Sequence, residues 1–211
     1  MASRSPSLHK LRKAMLEGEK SKEIPAGGSA LAVQKRLFEA RTVLIFGEIS
    51  MPLAQSTCAE LLALDAESRK PIRVLINSPG GHVESGDTVR DVLRYVESEV
   101  QIVGTGWVAS AGALIYTGVP RERRFALPNT RFMLHQPSGG VGGPASDVEI
   151  EAQQILAVRA RLNRIFADAT GQPLEKIARD TERNHWLNAE EAVAYGLVGR
   201  IVFSATDLPV P

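Results

Sequence analysis

Three short segments carry side chains and turns suited to chemistry. Gly104-Thr-Gly-Trp-Val-Ala-Ser110-Ala-Gly112-Ala crowds small residues around one serine, where an apolar run gives way to a helical pattern. A serine at a tight strand-to-helix turn holds its hydroxyl clear of the sheet, and the amide of the next residue, Ala111, points toward any oxyanion formed by its attack. Arg131-Phe-Met-Leu-His135-Gln-Pro places a histidine at the end of a β-like run, just before the glycine-rich SGGVGG. A base so placed can reach a nucleophile carried on another strand. Asn77-Ser-Pro-Gly80-Gly81 follows a third apolar run, and its glycines tolerate positive φ and let backbone amides approach a ligand closely. Taken singly, each segment has a plainer reading: a helix-capping serine, a structural histidine, a glycine turn. His9, His82 and His185 lack such a setting, and no histidine pair has the spacing of a zinc site, so neither metal nor cofactor is expected.

The elements that must hold these segments follow from hydrophobic periodicity. TVLIFGEI, IRVLINS and VQIVGTGWVA are apolar nearly throughout, as strands covered on both faces would be. Between them Ala54, Cys58, Leu61 and Leu62, and then Val89, Val92, Leu93 and Val96, recur at helical spacing. Strands alternating with helices predict an α/β fold. A longer helix is signalled by Ser146-Asp-Val-Glu149, a capping box, and should run to about Thr170 with Gly171 as its stop. Its apolar stripe is Ile155, Val158, Leu162, Ile165 and Phe166. It is longer than one compact domain needs, which predicts that it projects and packs on another subunit. Asn188 with Glu191 caps a last short helix that ends at Gly196, before a strand near Ile201.

Bulk composition bounds the function. A chain of 211 residues, 44% hydrophobic and 23% charged, suits one globular domain with a tail. Residues 1–30 are polar and end in Pro25-Ala-Gly-Gly28, the composition of a mobile tail, which leaves 31–211 as the domain. The 25 Lys and Arg residues balance the 24 Asp and Glu, so no global field favours nucleic acid or an acidic membrane. No apolar run reaches membrane-spanning length and the start lacks a secretory core, so a cytoplasmic location is expected. The single cysteine, Cys58, sits in an apolar helical stretch as a small hydrophobe.

In order and spacing the three segments resemble the proteolytic subunit of the Clp protease family. LINSPGG, the VASAGA turn, RFALPNTRFMLHQP, ASDVEIEAQQIL and AEEAVAYGLV all match that family's patterns, from about Arg41 to Val202. Ser110 and His135 stand 25 positions apart, and Gly81 and Ser110 stand 29 apart, as the resemblance requires. It implies the α/β fold of repeated β-β-α units with a projecting handle helix that this family shares with the crotonases. It implies a serine endopeptidase in which Ser110 is the nucleophile and His135 its base, with the amides of Gly81 and Ala111 as the oxyanion hole. The polypeptide substrate would lie as an added strand between Gly80 and a segment including Gly139, Gly140 and Val141. The resemblance also implies heptameric rings, stacked in pairs through the long helix, and an AAA+ unfoldase that feeds them.

The sequence departs from the family at several points. Where the family has its third catalytic residue, an aspartate after Thr-Glu-Arg, this chain has Asn184. An asparagine orients an imidazole without offsetting its charge, which predicts weak or conditional activity. His185 replaces a common arginine at the ring contact, and Arg73 and Leu75 stand where tyrosines often line the unfoldase pocket, which puts that docking in doubt. Two alternatives stay open: a regulatory or structural ring subunit partnering an active paralogue, and an acyl-coenzyme A hydratase or isomerase on the related fold.

Overall fold

The computed structural model describes residues 26–140 and 142–209. The chain divides into two units after Arg36. Helix α1, Ala26–Glu39, contains the boundary within it. The tail expected over residues 1–30 lies mostly outside the described residues, and its last five positions are helical.

In the unit from Leu37 onward, strands and helices alternate: β1 Thr42–Phe46, α2 Met51–Glu67, β2 Ile72–Ser78, α3 Val83–Tyr95, β3 Val100–Ala109 and α4 Ala111–Tyr116. There follow β4 Arg124–Ala126, β5 Arg131–Leu134, α5 Ala145–Thr170, α6 Leu174–Asp180, β6 His185–Asn188, α7 Ala189–Tyr195 and β7 Arg200–Ile201. The sheet runs β1-β2-β3-β4-β7 in parallel, while β5 pairs with β3 and β6 pairs antiparallel with β5. Among the described residues no helix is long and apolar enough to cross a membrane.

The apolar runs form the three strands expected of them, yet their two faces are not equally covered. In β2, Ile72, Val74, Ile76 and Ser78 are buried, whereas Arg73, Leu75 and Asn77 are half-buried. In β1, Leu44 and Phe46 are exposed. Only in β3 does the run Val100–Gly104 bury both sets, because Val103 joins a second small core with Phe125, Val202 and Leu208. Coverage on both faces therefore holds for the start of β3 and fails for β1 and β2. The main core lies on the other face, where Ile45, Ile76 and Ile102 meet Leu61 and Leu114 of the helices.

Helix α5 has 26 residues, and its four buried ones, Leu162, Asn163, Phe166 and Thr170, all fall in its C-terminal third. The N-terminal half leaves Ile150 and Leu156 exposed, which is the geometry of a handle. Gly171 ends it in the left-handed conformation, φ 74°. The start differs from the expected capping box. Pro144, with ψ 149°, is the capping residue, and its carbonyl accepts from Asp147 N and Val148 N, so Ser146 lies inside the first turn and makes no side-chain cap. Asn188 and Glu191 do form their capping box at α7.

Candidate active site

Strand β3 turns into α4 at Ser110, whose φ of 54° and ψ of −121° lie in a region that non-glycine residues rarely occupy. Holding a residue there costs roughly 1–3 kcal/mol, and such strain persists only where the surroundings over-determine it. Two contacts do so. The Ser110 amide donates to the Met133 carbonyl of β5 at 2.9 Å, and the Ser110 carbonyl accepts from Leu114 N in the first turn of α4. The hydroxyl makes no capping bond. It lies 2.7 Å from His135 Nε2, so the plain reading of a helix-capping serine fails.

His135 immediately follows β5. The antiparallel register places Leu134 opposite His185, so one step further Asn184 stands opposite His135. Gln136 holds this strap in place, its amide donating to the Thr181 carbonyl at 2.7 Å and its side chain to the Glu182 carbonyl at 2.8 Å. Burial lowers the pKa of His135 from its ordinary value, and a hydrogen bond with the Asn184 side chain opposes that shift. With Nε2 facing the serine, Nδ1 is the nitrogen that remains for Asn184. A proton on Nδ1 leaves Nε2 with its lone pair toward the serine hydroxyl. Asn184 itself is exposed. Neither neighbouring carboxylate takes its place: Asp180 is held by Lys176 and Tyr195 Oη at 2.6 Å each, and Glu182 by Arg159. His185 turns toward its own subunit, with Nε2 4.0 Å from Asp180 Oδ2 and its ring 5.3 Å from Tyr195. His82 serves as the N-cap of α3.

Gly80 and Gly81 close the site from the other side. Ile49 N donates to Gly80 O, and His82 N donates to Ile49 O, both at 2.8 Å, so the N–H of the intervening Gly81 faces away from Ile49. Ala111 N–H is the first amide of α4 and has no intrahelical acceptor. Among the described residues neither N–H donates to any acceptor. A Cβ on Gly80 would fall 2.5 Å from Ser110 Cβ and 2.9 Å from the Ala109 carbonyl, at φ 101°. Gly80→Ala should therefore destabilise the protein by about 1–3 kcal/mol and displace Ser110 from His135. Urea denaturation together with peptide turnover checks this, and a variant of wild-type stability and activity would refute the contact.

Beside Ser110 and His135 lies a narrow slot lined by Val83, Leu114, Leu162 and Phe166. Its free volume is about 10 Å³, close to the least that holds one water molecule. Sequence reasoning missed this slot, because Leu162 and Phe166 carry the same spacing signal as any packed helix. Gly139 and Gly140 are exposed and belong to no strand, and Val141 lies outside the described residues.

A hydroxyl against an imidazole, with two free N–H groups nearby, is the equipment of acyl transfer. Comparison with known proteins agrees: the Clp protease family matches residues 25–205. The ATP-dependent Clp protease proteolytic subunit 3 of Rhizobium etli is 56% identical over 192 residues, 91% of this chain and 97% of its own. Subunit 2 of Gluconobacter oxydans is 60% identical over 178 residues, covering 83% and 80%. Among solved structures, ClpP1 from Listeria monocytogenes superposes with a TM-score of 0.77, and an Asn-to-Asp mutant of it with 0.79. Each is 47% identical and covers 84% of this chain and 99% of its own. The chain belongs to the Clp protease family and is a serine endopeptidase subunit. Members of this family assemble into oligomeric rings and work with Clp ATPases.

Proposed function

We propose that Ser110 attacks the carbonyl of an extended polypeptide, with His135 as base, Asn184 as the residue that orients it, and Gly81 and Ala111 N–H as the oxyanion hole. The observation that carries this reading is the 2.7 Å approach of Ser110 Oγ to His135 Nε2 on a serine that does no capping. Oγ bonds to the carbonyl carbon as its proton passes to Nε2. The tetrahedral oxyanion accepts from the two amides, and collapse returns the proton to the leaving nitrogen. Water then hydrolyses the acyl ester by the same route. Backbone pairing along Gly80 and residues 139–141 accepts many sequences, as a degradative enzyme needs.

The exposed first half of α5 is proposed to pack against its counterpart, joining two heptameric rings around a chamber in the cytoplasm. An AAA+ unfoldase docking on the open face of β2 would meet Arg73 and Leu75, and Asn184 makes a paralogous subunit with a complete triad a candidate partner.

Two measurements test the reading. A fluorophosphonate probe should label Ser110, and absence of labelling at that residue would overturn it. The kcat/KM profile should fall on acidification with an apparent pKa below the ordinary imidazole value of about 6.5. The base must be neutral to accept the proton, and burial keeps His135 neutral to lower pH than a solvated histidine. A midpoint at or above about 7 would assign the titration to some other group.

A further inference from the structure

Away from the active site, the end of α3, the turn after α4 and the end of α5 line an open cavity of about 420 Å³. Four guanidinium groups line it, Arg90, Arg94, Arg121 and Arg124, against one carboxylate, Asp168. Two of the four have structural duties. Arg124 is buried and donates to the carbonyls of Leu197 and Ala169, and Arg121 donates to those of Val193 and Val198. These bonds use carbonyls and leave the positive charge in place.

Neither Arg90 nor Arg94 reaches across to a backbone carbonyl in this way. They stand four apart on α3, where like charges repel. Arg94 is exposed and forms no ion pair with any described carboxylate. Arg90 donates from Nε to Thr117 Oγ1 at 3.1 Å, and the carboxylate nearest it, Asp91, is 3.7 Å from its Nη1. Burial chiefly holds the pKa of Arg124 down to about 10, with Tyr116 opposing and the Arg121 and Arg90 charges adding to it, and burial and then Arg94 lower that of half-buried Arg90.

We propose that this cavity binds a compact polyanion bearing clustered phosphoryl oxygens, held chiefly by Arg90 and Arg94. Planar forks converging on one space suit bidentate pairing with phosphate oxygens, and partial burial strengthens each pair. The same oxygens are offered by inorganic pyrophosphate and by the phosphate end of a nucleoside diphosphate. Such a ligand would tie α3 to the base of the handle helix.

The test is calorimetric titration of the assembled wild-type protein with pyrophosphate and, separately, with ADP, at constant ionic strength. Wild type should bind at least one of them. Equal affinity assigns recognition to the phosphates alone, and tighter binding of ADP assigns it to the nucleotide. Arg94→Gln, at an exposed position with no partner to lose, should weaken binding about ten-fold, some 1.4 kcal/mol. Arg94→Lys should recover part of that, and peptide turnover without ligand should be unchanged in both. Arg90→Gln should weaken binding similarly, with its melting temperature recorded to establish that it folds. No binding by wild type, equal binding by the Arg94→Gln variant, or equal binding of sulfate would each overturn the proposal.

Discussion

Ser110→Ala is expected to abolish peptide hydrolysis while leaving the fold and the assembly intact. In the proposed mechanism the hydroxyl supplies the atom that bonds to the substrate carbonyl, so its loss leaves binding and the proposed oxyanion hole without a nucleophile. In a serine protease of another fold the corresponding loss is roughly six orders of magnitude in kcat. Stability should barely move, because Oγ has no partner among the described residues except His135 and makes no helix cap. Alanine keeps the Cβ and meets the same backbone strain at φ 54°. The variant should give the same mass by light scattering as wild type, a multiple of the single chain. Residual turnover above about a tenth of wild type would remove Ser110 from the role of nucleophile, since no general-base effect alone fills that gap.

Much of this arrangement was legible in the sequence because local signals and global fold agree. The apolar runs gave β2 and β3 their bounds to the residue, and Gly171 and Asn188 marked helix ends by their own chemistry. What could not be read is what depends on long-range pairing. Whether a strand is covered on one face or two depends on what packs against it, and Leu44 and Phe46 look no different in sequence from Val43 and Ile45. The capping box at Ser146 failed for a local reason: Pro144 offers its carbonyl first. The meeting of His135 with Asn184 rests on the antiparallel register of β5 and β6, which sequence reasoning reached only through family resemblance. The apolar slot was missed because its residues come from α3, α4 and α5, each reading as ordinary core.

Asn184→Asp is expected to raise the peptidase activity of the isolated protein by about ten-fold or more, some 1.4 kcal/mol of barrier. The present asparagine stands opposite His135 in the β5–β6 register and opposes the lowering of its pKa, but in the proposed mechanism it offers no charge to the imidazolium that forms as Oγ attacks. A carboxylate supplies that charge. In a chymotrypsin-like enzyme the reverse change costs about 10⁴ in turnover, close to 5 kcal/mol. The gain here should be smaller for two reasons. Asn184 is exposed in the subunit, so water screens part of the new attraction, and His135 Nε2 already faces Ser110 Oγ at 2.7 Å. A readout besides rate separates a catalytic effect from a structural one. The carboxylate should raise the His135 pKa, opposing the burial that now lowers it, and the acid limb of the kcat/KM profile should move to higher pH. Faster turnover with an unmoved acid limb would mean that the change acts on assembly. If turnover and limb both stay fixed while the probe still labels Ser110, the third residue does not limit the enzyme, and the limit lies in a missing partner subunit.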